Sequence, residues 1–171
     1  EHSGDFLIKN IKMGGGILPV AFYKGKIYFL FSREQINSTK DAGLWSDFGG
    51  ARDKDETFFE TASREAYEES GGFLGSLKTI EKLIENKTLF TITKQKHRIY
   101  IVLIDYDRTL PKRFRNKFIK IKETKPHLIE KHNGLYEKDM LRWMSYNEVK
   151  NFPDFRKWYK KEFIPSILAK F

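Results

Sequence analysis

The sequence predicts a single α/β domain over residues 1–171, and three observations lead to this prediction. The chain has 171 residues, 40% of them apolar, which suits one domain with a sizeable core. Two pairs of strand-like runs, within residues 20–31 and 88–104, are each joined by a short polar turn. Between these pairs, residues 57–70 carry apolar side chains at helical spacing. No internal repeat or linker argues for a second domain.

The first part of the chain is predicted to form strands of one sheet. Residues 6–13 alternate between apolar and polar side chains, and residues 17–23 resume an extended run after the triple glycine at 14–16. No Gly-Lys-Ser or Gly-Lys-Thr follows these glycines, so a bulge or bend is predicted there in preference to a phosphate loop. Lys24 and Gly25 then predict the tight turn of a hairpin.

A cluster of carboxylates lies on the helix predicted from residue 57 onward. Its apolar residues recur at three- and four-residue steps, and a glycine pair ends it: Phe58, Phe59, Ala62, Ala66, Gly71 and Gly72. On a helix Glu65 lies beside Glu68 and Glu69, and like charges at this spacing repel one another by about 0.2–0.5 kcal/mol per pair. A bound cation would turn the repulsion into attraction. The pattern has two interpretations, a divalent-metal site or an ordinary acidic helix face.

The composition restricts the metal that such a site would take. Carboxylate oxygens favour Mg²⁺ or Mn²⁺, and a chain without cysteine cannot form a thiolate zinc site. The four histidines share no ligand spacing. Arg64, which stands among the glutamates, can orient a carboxylate through its two-pronged donor. Gly49 and Gly50 let the backbone come close, so a carbonyl there, with Gly49 as the candidate, could join the ligands.

The chain after residue 72 predicts further strands and helices. In chain order they are a short helix or a distorted strand at residues 77–84, a hairpin of residues 88–93 and 98–104, a strand at 141–144, a helix capped by Ser145 and Glu148, and an amphipathic helix that starts at Pro153, covers the sheet and is interrupted at Pro165.

The net charge of +9 has two interpretations. A basic protein of this size is attracted to polyanions such as nucleic acid, nucleotides or inositol phosphates. A lysine excess also arises from solubility or compositional bias. The charge is concentrated in residues 108–132, which we regard as a basic insertion, and aromatic side chains are interleaved with its lysines and arginines. This insertion is either a solvated lysine-rich loop or a surface for a long polyanion.

The composition also predicts the setting of the protein. The longest apolar runs, such as residues 101–104, are far shorter than the roughly 18 residues that span a bilayer, so no membrane association is expected. The absence of cysteine and of a secretory leader suits a cytoplasmic, intracellular protein. The first residue is Glu1, so residues 1–4 are expected to be a remnant of trimming or processing.

The residues around the acidic helix resemble the signature of the Nudix hydrolases. That signature reads G-x5-E-x7-R-E-U-x-E-E-x-G-U, where U is a bulky aliphatic residue, and its fixed letters are met by Gly50, Glu56, Arg64, Glu65, Glu68, Glu69 and Gly71. The two U positions depart from it, since they hold Ala66 and Gly72. Residues 45–50 resemble the family's W-x-x-P-G-G lead-in, with Phe48 in place of proline.

The resemblance implies the fold and the reaction. The fold would be a Nudix-type α/β/α sandwich with a central mixed β-sheet. The reaction would be hydrolysis of a pyrophosphate bond in a nucleoside diphosphate linked to another moiety, by attack of water at phosphorus, with Mg²⁺ or Mn²⁺ as cofactor. A Nudix-fold module that binds RNA or nucleotides without hydrolysis is the alternative.

The resemblance also implies catalytic and metal-binding roles. The metal ligands would be Glu65, Glu68, Glu69 and the Gly49 carbonyl, and the catalytic residues would be Glu56, Arg64, Glu65, Glu69 and Glu137. Glu56 is expected to pair with Arg64 and orient it. The general base is open among Glu65, Glu69 and a later carboxylate. Glu137, six residues before Trp143, is the candidate for that later carboxylate, and Asp139 is the fallback.

The substrate-binding residues are the least constrained by the sequence. Arg33, at the end of a strand, is either a phosphate contact, as in the family, or a surface arginine. Trp45 and Phe48 are candidates to stack on a base, although Trp45 also suits the core. The substrate candidates are 5′-capped RNA, bound in part by residues 108–131, small nucleoside diphosphate derivatives, and inositol pyrophosphates. The oligomeric state is not predicted.

Overall fold

The computed structural model describes residues 13–36, 40–130 and 135–171. Its central sheet has seven strands, which are β1 (Gly14–Tyr23), β2 (Lys26–Glu34), β3 (Trp45–Ser46), β4 (Phe48–Ala51), β5 (Thr88–Lys94), β6 (His97–Leu103) and β7 (Lys138–Ser145). The strand order is β3-β2-β1-β6-β5, while β4 also pairs with β1 and β7 with β2. β1 and β6 are parallel and the other described pairs are antiparallel, so the predicted mixed sheet is confirmed.

Helices cover both faces of this sheet. They are α1 (Phe58–Glu69), α2 (Leu77–Lys87), α3 (Leu110–Thr124), α4 (Pro126–Glu130), α5 (Tyr146–Asn151), α6 (Lys157–Glu162) and α7 (Ile164–Leu168). One buried cluster joins α1, α2 and α3 to the sheet through residues such as Ile17 and Leu30. The other joins α5, α6 and α7 to the opposite face through Phe29 and Phe31. The predicted α/β/α sandwich is confirmed.

The triple glycine is part of a strand, so the predicted bulge or bend is wrong. Gly14, Gly15 and Gly16 pair with β4 on one side and with β6 on the other. The glycines are required by close packing, because a Cβ at Gly15 would lie 2.8 Å from the Phe58 carbonyl oxygen of α1. A Cβ at Gly16 would lie 2.8 Å from the Gly49 Cα. The strand predicted at residues 6–13 lies outside the described residues except for Met13.

Both predicted hairpins are present. Lys24 and Gly25 join β1 to β2 with φ of 49° and 76°, and Gln95 and Lys96 join β5 to β6 with φ of 46° and 64°. Two consecutive residues with positive φ are what a type I′ turn requires, and that turn matches the twist of paired strands.

The basic insertion is helical in its described part, so its interpretation as a loop is wrong. Helix α3 runs from Leu110 to Thr124, and α4 follows directly. The helix forms because Leu110, Phe114 and Phe118 recur every four residues and are buried as an apolar stripe. The many lysines between them make this spacing hard to recognise in the sequence. Phe114 packs edge-on against Phe73, which anchors α3 beside the end of α1.

The structure settles two further points. The segment that fitted a helix or a distorted strand is helix α2, capped by the Ser76 side chain. The last amphipathic segment becomes helical at Lys157 and not at Pro153, because the backbone at Phe155 bridges to Trp45. Among the described residues, no helix is both long and apolar enough to cross a membrane.

Candidate active site

Helix α1 carries the acidic residues of the site and is held tightly against the sheet. Thr57 and Glu60 form a capping box that fixes its first turn. One turn apart on its sheet-facing side, Glu65 and Glu69 reach β4. The Gly49 N–H donates to Glu69 Oε1 at 2.6 Å. The Glu65 carboxylate occupies the space beside Gly50, where an added Cβ would lie 2.6 Å from the Glu65 Cδ.

Arg64 links the carboxylates of this region. Its guanidinium donates to both Glu56 oxygens, from Nε at 2.9 Å and from Nη2 at 3.0 Å. Nη1 donates to Glu65 and to Glu68, each at 3.1 Å, and Nη2 also donates to the Ala51 carbonyl at 3.0 Å. The predicted pairing of Glu56 with Arg64 is therefore present. The geometry orients Glu65 and Glu68 through a charge-assisted network rather than through direct contact between the two glutamates.

A second set of carboxylates converges on Glu69 from the sheet. Glu34, at the end of β2, and Glu137, just before β7, each place an oxygen so that the three carboxylates offer ligand atoms within 4.8 Å of one another. Lys138 is buried among them. Its Nζ lies 3.3 Å from Glu34 and 4.0 Å from Glu69, and it donates to Ser46 Oγ at 3.1 Å. The lysine partly offsets the charge of this acidic set.

Burial changes the proton affinity of these glutamates. It raises the pKa of Glu65 to about 7, with Arg64 opposing the change and Glu68 and Glu137 adding to it. Burial also raises the pKa of Glu69 well above its usual range, although Lys138 opposes this. The pKa of Glu68 is raised for the same reason. The charge of Glu137 adds to the rise in pKa of all three glutamates.

This arrangement fits a divalent cation of the hard type. The donor set is made of carboxylate oxygens, which suit Mg²⁺ or Mn²⁺. Glu69 is almost fully buried, and a buried carboxylate is costly unless a cation or hydrogen-bond donors compensate it. Of the predicted metal ligands, Glu69 belongs to the most compact carboxylate set, while Glu65 and Glu68 are bound by Arg64. Gly49 contacts Glu69 through its N–H.

Arg33 is bound by Asp139. Its Nε and Nη2 donate to the two carboxylate oxygens of Asp139 at 2.8 and 3.0 Å, and the Ile36 N–H donates to the same carboxylate. Asp139 is buried, so this pair fastens the end of β2 to β7. The pair accounts for Asp139 without a role in catalysis. A phosphate contact by Arg33 stays a prediction.

Trp45 and Phe48 belong to the core, which corrects their assignment as base-stacking residues. Trp45 is 6% exposed and packs edge-on against Phe152, and Phe48 is fully buried beneath α1. Neither ring offers a face to a ligand in this structure. Trp45 fills the core as the alternative interpretation of the sequence predicted.

Glu34 and Lys138 are site residues that the sequence analysis missed. The signal for Glu34 is strand alternation. Leu30 faces α1 in the core, and a period of two places Glu34 on that same face. Lys138 carries no comparable signal, because a single lysine beside Glu137 and Asp139 is indistinguishable in sequence from a surface residue.

Comparison with known proteins agrees with this architecture. The family model for the NUDIX domain matches residues 17–167. A segment of 65 residues is 46% identical to the uncharacterized protein L534 of Acanthamoeba polyphaga mimivirus, which amounts to 37% of this chain and 20% of that protein. The match thus spans about a fifth of the length of this relative.

Solved structures share the fold at low sequence identity. A Nudix hydrolase from M. smegmatis, RenU, has a TM-score of 0.58 and 17% identity, with 93% of this chain and 87% of that chain covered. The NUDIX domain of Shewanella oneidensis NrtR, solved with ADP ribose, has a TM-score of 0.51 and 13% identity, with 99% of each chain covered. A bifunctional NMN adenylyltransferase/ADP ribose pyrophosphatase from Francisella tularensis has a TM-score of 0.51 and 17% identity, with 98% of this chain and 45% of that chain covered. The chain belongs to the NUDIX domain family and has the fold of the Nudix hydrolases.

Proposed function

We propose that this protein is a metal-dependent pyrophosphohydrolase that cleaves a nucleoside diphosphate linked to another moiety. The observation that carries the proposal is the convergence of Glu34, Glu69 and Glu137 beside the Arg64-bound Glu65 and Glu68. A structural role does not require so many carboxylates in one place, because they repel one another. An intracellular, cytoplasmic setting is part of the same proposal.

Different residues would have different roles in this reaction. Glu65, Glu68 and Glu69 would hold Mg²⁺ or Mn²⁺, with Glu34, Glu137 and the Gly49 carbonyl as further candidates. A bound divalent cation neutralises phosphate charge and lowers the pKa of a bound water. Arg64 and Glu56 hold the ligand carboxylates in position. The general base is one of Glu65, Glu69 and Glu137. These three belong to what we call the acidic group, which consists of Glu34, Glu65, Glu68, Glu69 and Glu137.

The experiment that tests the reaction class is a substrate panel. It contains dinucleoside polyphosphates, nucleotide sugars, oxidised nucleotides, inositol pyrophosphates and capped RNA, each assayed with Mg²⁺ and with Mn²⁺. We expect hydrolysis of at least one nucleoside diphosphate derivative, and no turnover when EDTA removes the metal. Nucleotide binding without turnover of any compound would favour the alternative, a binding module. Turnover of inositol pyrophosphates alone would overturn the nucleotide assignment.

We further propose that the substrate extends as a polyanion along helix α3, with 5′-capped RNA as the leading candidate. The specific observation is that Lys117, an exposed cation of α3, lies near the acidic group. Lys117 of α3 and Lys138 line one cavity with Glu68 and Glu69. The other exposed cations of the helix include Lys112, Arg113, Lys120 and Lys122.

A salt series separates this RNA proposal from a small-nucleotide substrate. Phosphate contacts by α3 would release counterions, so turnover of capped RNA at low concentration should fall more steeply with salt than turnover of a free dinucleotide. Changing Lys112, Arg113, Arg115 and Lys117 together to Ser should impair RNA cleavage more. A control with Lys78, Lys82 and Lys87 of α2 changed to Ser should impair neither substrate. Equal salt slopes and equal losses for the two substrates would rule out the RNA role.

A further inference from the structure

A cavity of about 170 Å³ lies beside helix α6 and contains polar groups that the proposed hydrolysis does not use. Its lining includes Asp47, Gly50, His97, Arg156, Trp158 and Tyr159. Tyr159 belongs to the core cluster on the face of the sheet opposite α1. The cavity is therefore distinct from the space between the acidic group and helix α3.

Two buried polar side chains in this cavity lack hydrogen-bond partners. Asp47 is 4% exposed and Tyr159 is 2% exposed. Within the described parts of the chain, Asp47 Oδ2 and the Tyr159 hydroxyl make no hydrogen bond. Burial raises the pKa of Tyr159, and the neighbouring Asp47 adds to this, so the two groups lie close together. Buried polar atoms in folded proteins are usually paired, so these two point to a ligand.

The rest of the lining defines the chemistry of that ligand. Arg156, whose Nε donates to Asp41 at 2.9 Å, adds a positively charged donor to the cavity. His97 is uncharged at neutral pH, because burial and the Arg156 charge lower its pKa to about 4. Trp158 is 39% exposed and meets the His97 ring edge-on, so it adds an accessible aromatic surface at the rim.

The lining combines a carboxylate acceptor with a guanidinium donor, and this pair favours a planar ring that carries both donors and an acceptor on one edge. The polar edge of a nucleobase can satisfy both side chains at once. Among the common bases, guanine presents two adjacent N–H donors for a carboxylate, at N1 and N2, next to a carbonyl acceptor for an arginine. Adenine lacks the N1 hydrogen, and uracil and cytosine lack the paired donors.

We propose that this cavity binds the guanine base of a nucleotide, with Asp47 accepting from N1–H and N2–H, Arg156 donating to O6, and Trp158 contacting the ring. The inference rests on the proposed function, since it assigns the nucleoside half of the substrate. Gly50 connects the two places. It lines this cavity, and the Glu65 carboxylate packs against its Cα. A base held here would therefore be separated from the acidic group by a single strand residue.

The test is to measure the equilibrium binding of GMP, IMP, AMP and UMP by calorimetry. The measurement is made in EDTA, so that neither a metal ion nor turnover affects the result. GMP should bind most tightly. IMP, which lacks the N2 amino group, should bind about 10-fold or more weakly, and AMP more weakly still, on the scale of one lost hydrogen bond to a charged group. Equal affinity for GMP and AMP, or no nucleotide binding, would overturn the inference.

Variants identify the residue responsible. Asp47→Asn should weaken GMP binding by about 10- to 100-fold and remove the preference over AMP. The matched control is Asp154→Asn, an exposed carboxylate in the same segment as Arg156, which should leave GMP affinity unchanged. An unaltered GMP preference in folded Asp47→Asn would contradict the assignment. If this variant does not fold, the comparison of GMP with IMP in the parent protein decides.

The outcomes separate the inference from the proposed function. Guanine-selective binding without hydrolysis of any panel compound would reject the proposed function and leave the cavity assignment standing. Metal-dependent hydrolysis without base preference would reject the cavity assignment alone.

Discussion

Arg64 donates to three glutamates and a backbone carbonyl from one planar guanidinium. Lysine carries the same charge but cannot form this fork. Replacing Arg64 with lysine therefore keeps the charge and removes the geometry, so the two effects can be measured separately.

Arg64→Lys should lower kcat or metal affinity by about 10- to 100-fold, the range for residues that orient metal ligands. Glu56→Gln should have an effect in the same direction, because it removes the charge that orients Arg64. The double variant should lose little beyond the worse single variant, since the two residues act as a unit. Steady-state kinetics and Mn²⁺ titration of the parent, the two single variants and the double variant complete this double-mutant cycle. Additive losses would show that Arg64 and Glu56 act independently.

Gly50→Ala should weaken metal binding without unfolding the protein. The new Cβ would lie 2.6 Å from the Glu65 Cδ and must push the carboxylate aside. The displaced group is the end of a flexible side chain, so we expect about 1 kcal/mol or less of lost stability. Mn²⁺ titration and urea denaturation measure the two effects. Unchanged Mn²⁺ affinity would show that the position of Glu65 is not important for the site.

The raised pKa of Glu65 predicts how stability depends on pH in the metal-free protein. The folded pKa of about 7 exceeds the ordinary value of 4.5, so the native state holds the proton more tightly than the unfolded state. Deprotonation therefore disfavours folding. The contribution of Glu65 to stability in EDTA should fall by a few kcal/mol at most as pH rises from about 4.5 to 7, and it should then level off. Asp47, with a pKa raised to about 7 chiefly by burial, contributes with the same sign.

Urea denaturation between pH 4.5 and 8.5 measures this dependence. Glu65→Gln should make the curve in EDTA less steep, because it removes one of the contributing carboxyl groups, and Mg²⁺ should restore stability to the parent protein above pH 7. Glu85→Gln, an exposed substitution on α2, is the matched control and should leave the slope unchanged. A parent protein whose stability rises over this window would contradict the sign.

At the scale of elements, the contact of helix α1 with strand β1 determines where the acidic residues lie. Gly15 brings the first turn of α1 onto the strand, because a Cβ there would lie 2.8 Å from the Phe58 carbonyl oxygen and 3.2 Å from the Ala62 nitrogen. Both groups belong to the helix backbone and cannot rotate away. The glycine is therefore part of the geometry that brings Glu69 to β4.

Gly15→Ala should destabilise the fold by about 1–3 kcal/mol, the usual cost of overpacking. Its effect differs from that of Gly50→Ala, since backbone and not side-chain atoms must move. Gly71→Asn is the control, because Gly71 has φ of 58°, which asparagine tolerates, and open space around it. Thermal unfolding of both variants tests this. A Gly15→Ala protein as stable as the parent would show that α1 can move away from the strand without loss.

Helix α3 shows where a sequence pattern is ambiguous at the scale of elements. Lysines and arginines dominate residues 109–124, and this composition suggested a loop. The buried stripe of Leu110, Phe114 and Phe118 has helical spacing, so the sequence does contain a helix signal. The prediction of a loop gave more weight to the charged residues than to this spacing. The hairpins were predictable because their turns are local. The capping boxes at Thr57 and Ser145 are also local, because each joins residues three apart in the chain. The Ser145 box is therefore predictable from the sequence.

At the scale of the whole molecule, the acidic helix could be predicted but its surroundings could not. Glu34 and Lys138 come from strands that lie far from α1 in sequence, and only the pairing of β2 with β7 brings both residues to Glu69. The burial of Trp45 and Phe48 also depends on which helices cover the sheet. Glu137 was identified through family resemblance and lies in the acidic group, although its catalytic role stays a prediction.

The measurement that tests the central claim most directly is metal-dependent turnover of the best panel substrate by the parent, Glu68→Gln and Glu69→Gln. The parent should be inactive in EDTA and active with Mg²⁺, and each variant should lose at least about 100-fold in kcat, the scale expected when an electrostatic contact to the transition state is removed. Glu85→Gln should retain the parent rate. Full activity in both folded variants, or turnover that EDTA leaves unchanged, would contradict the assignment of α1 as the metal-binding helix.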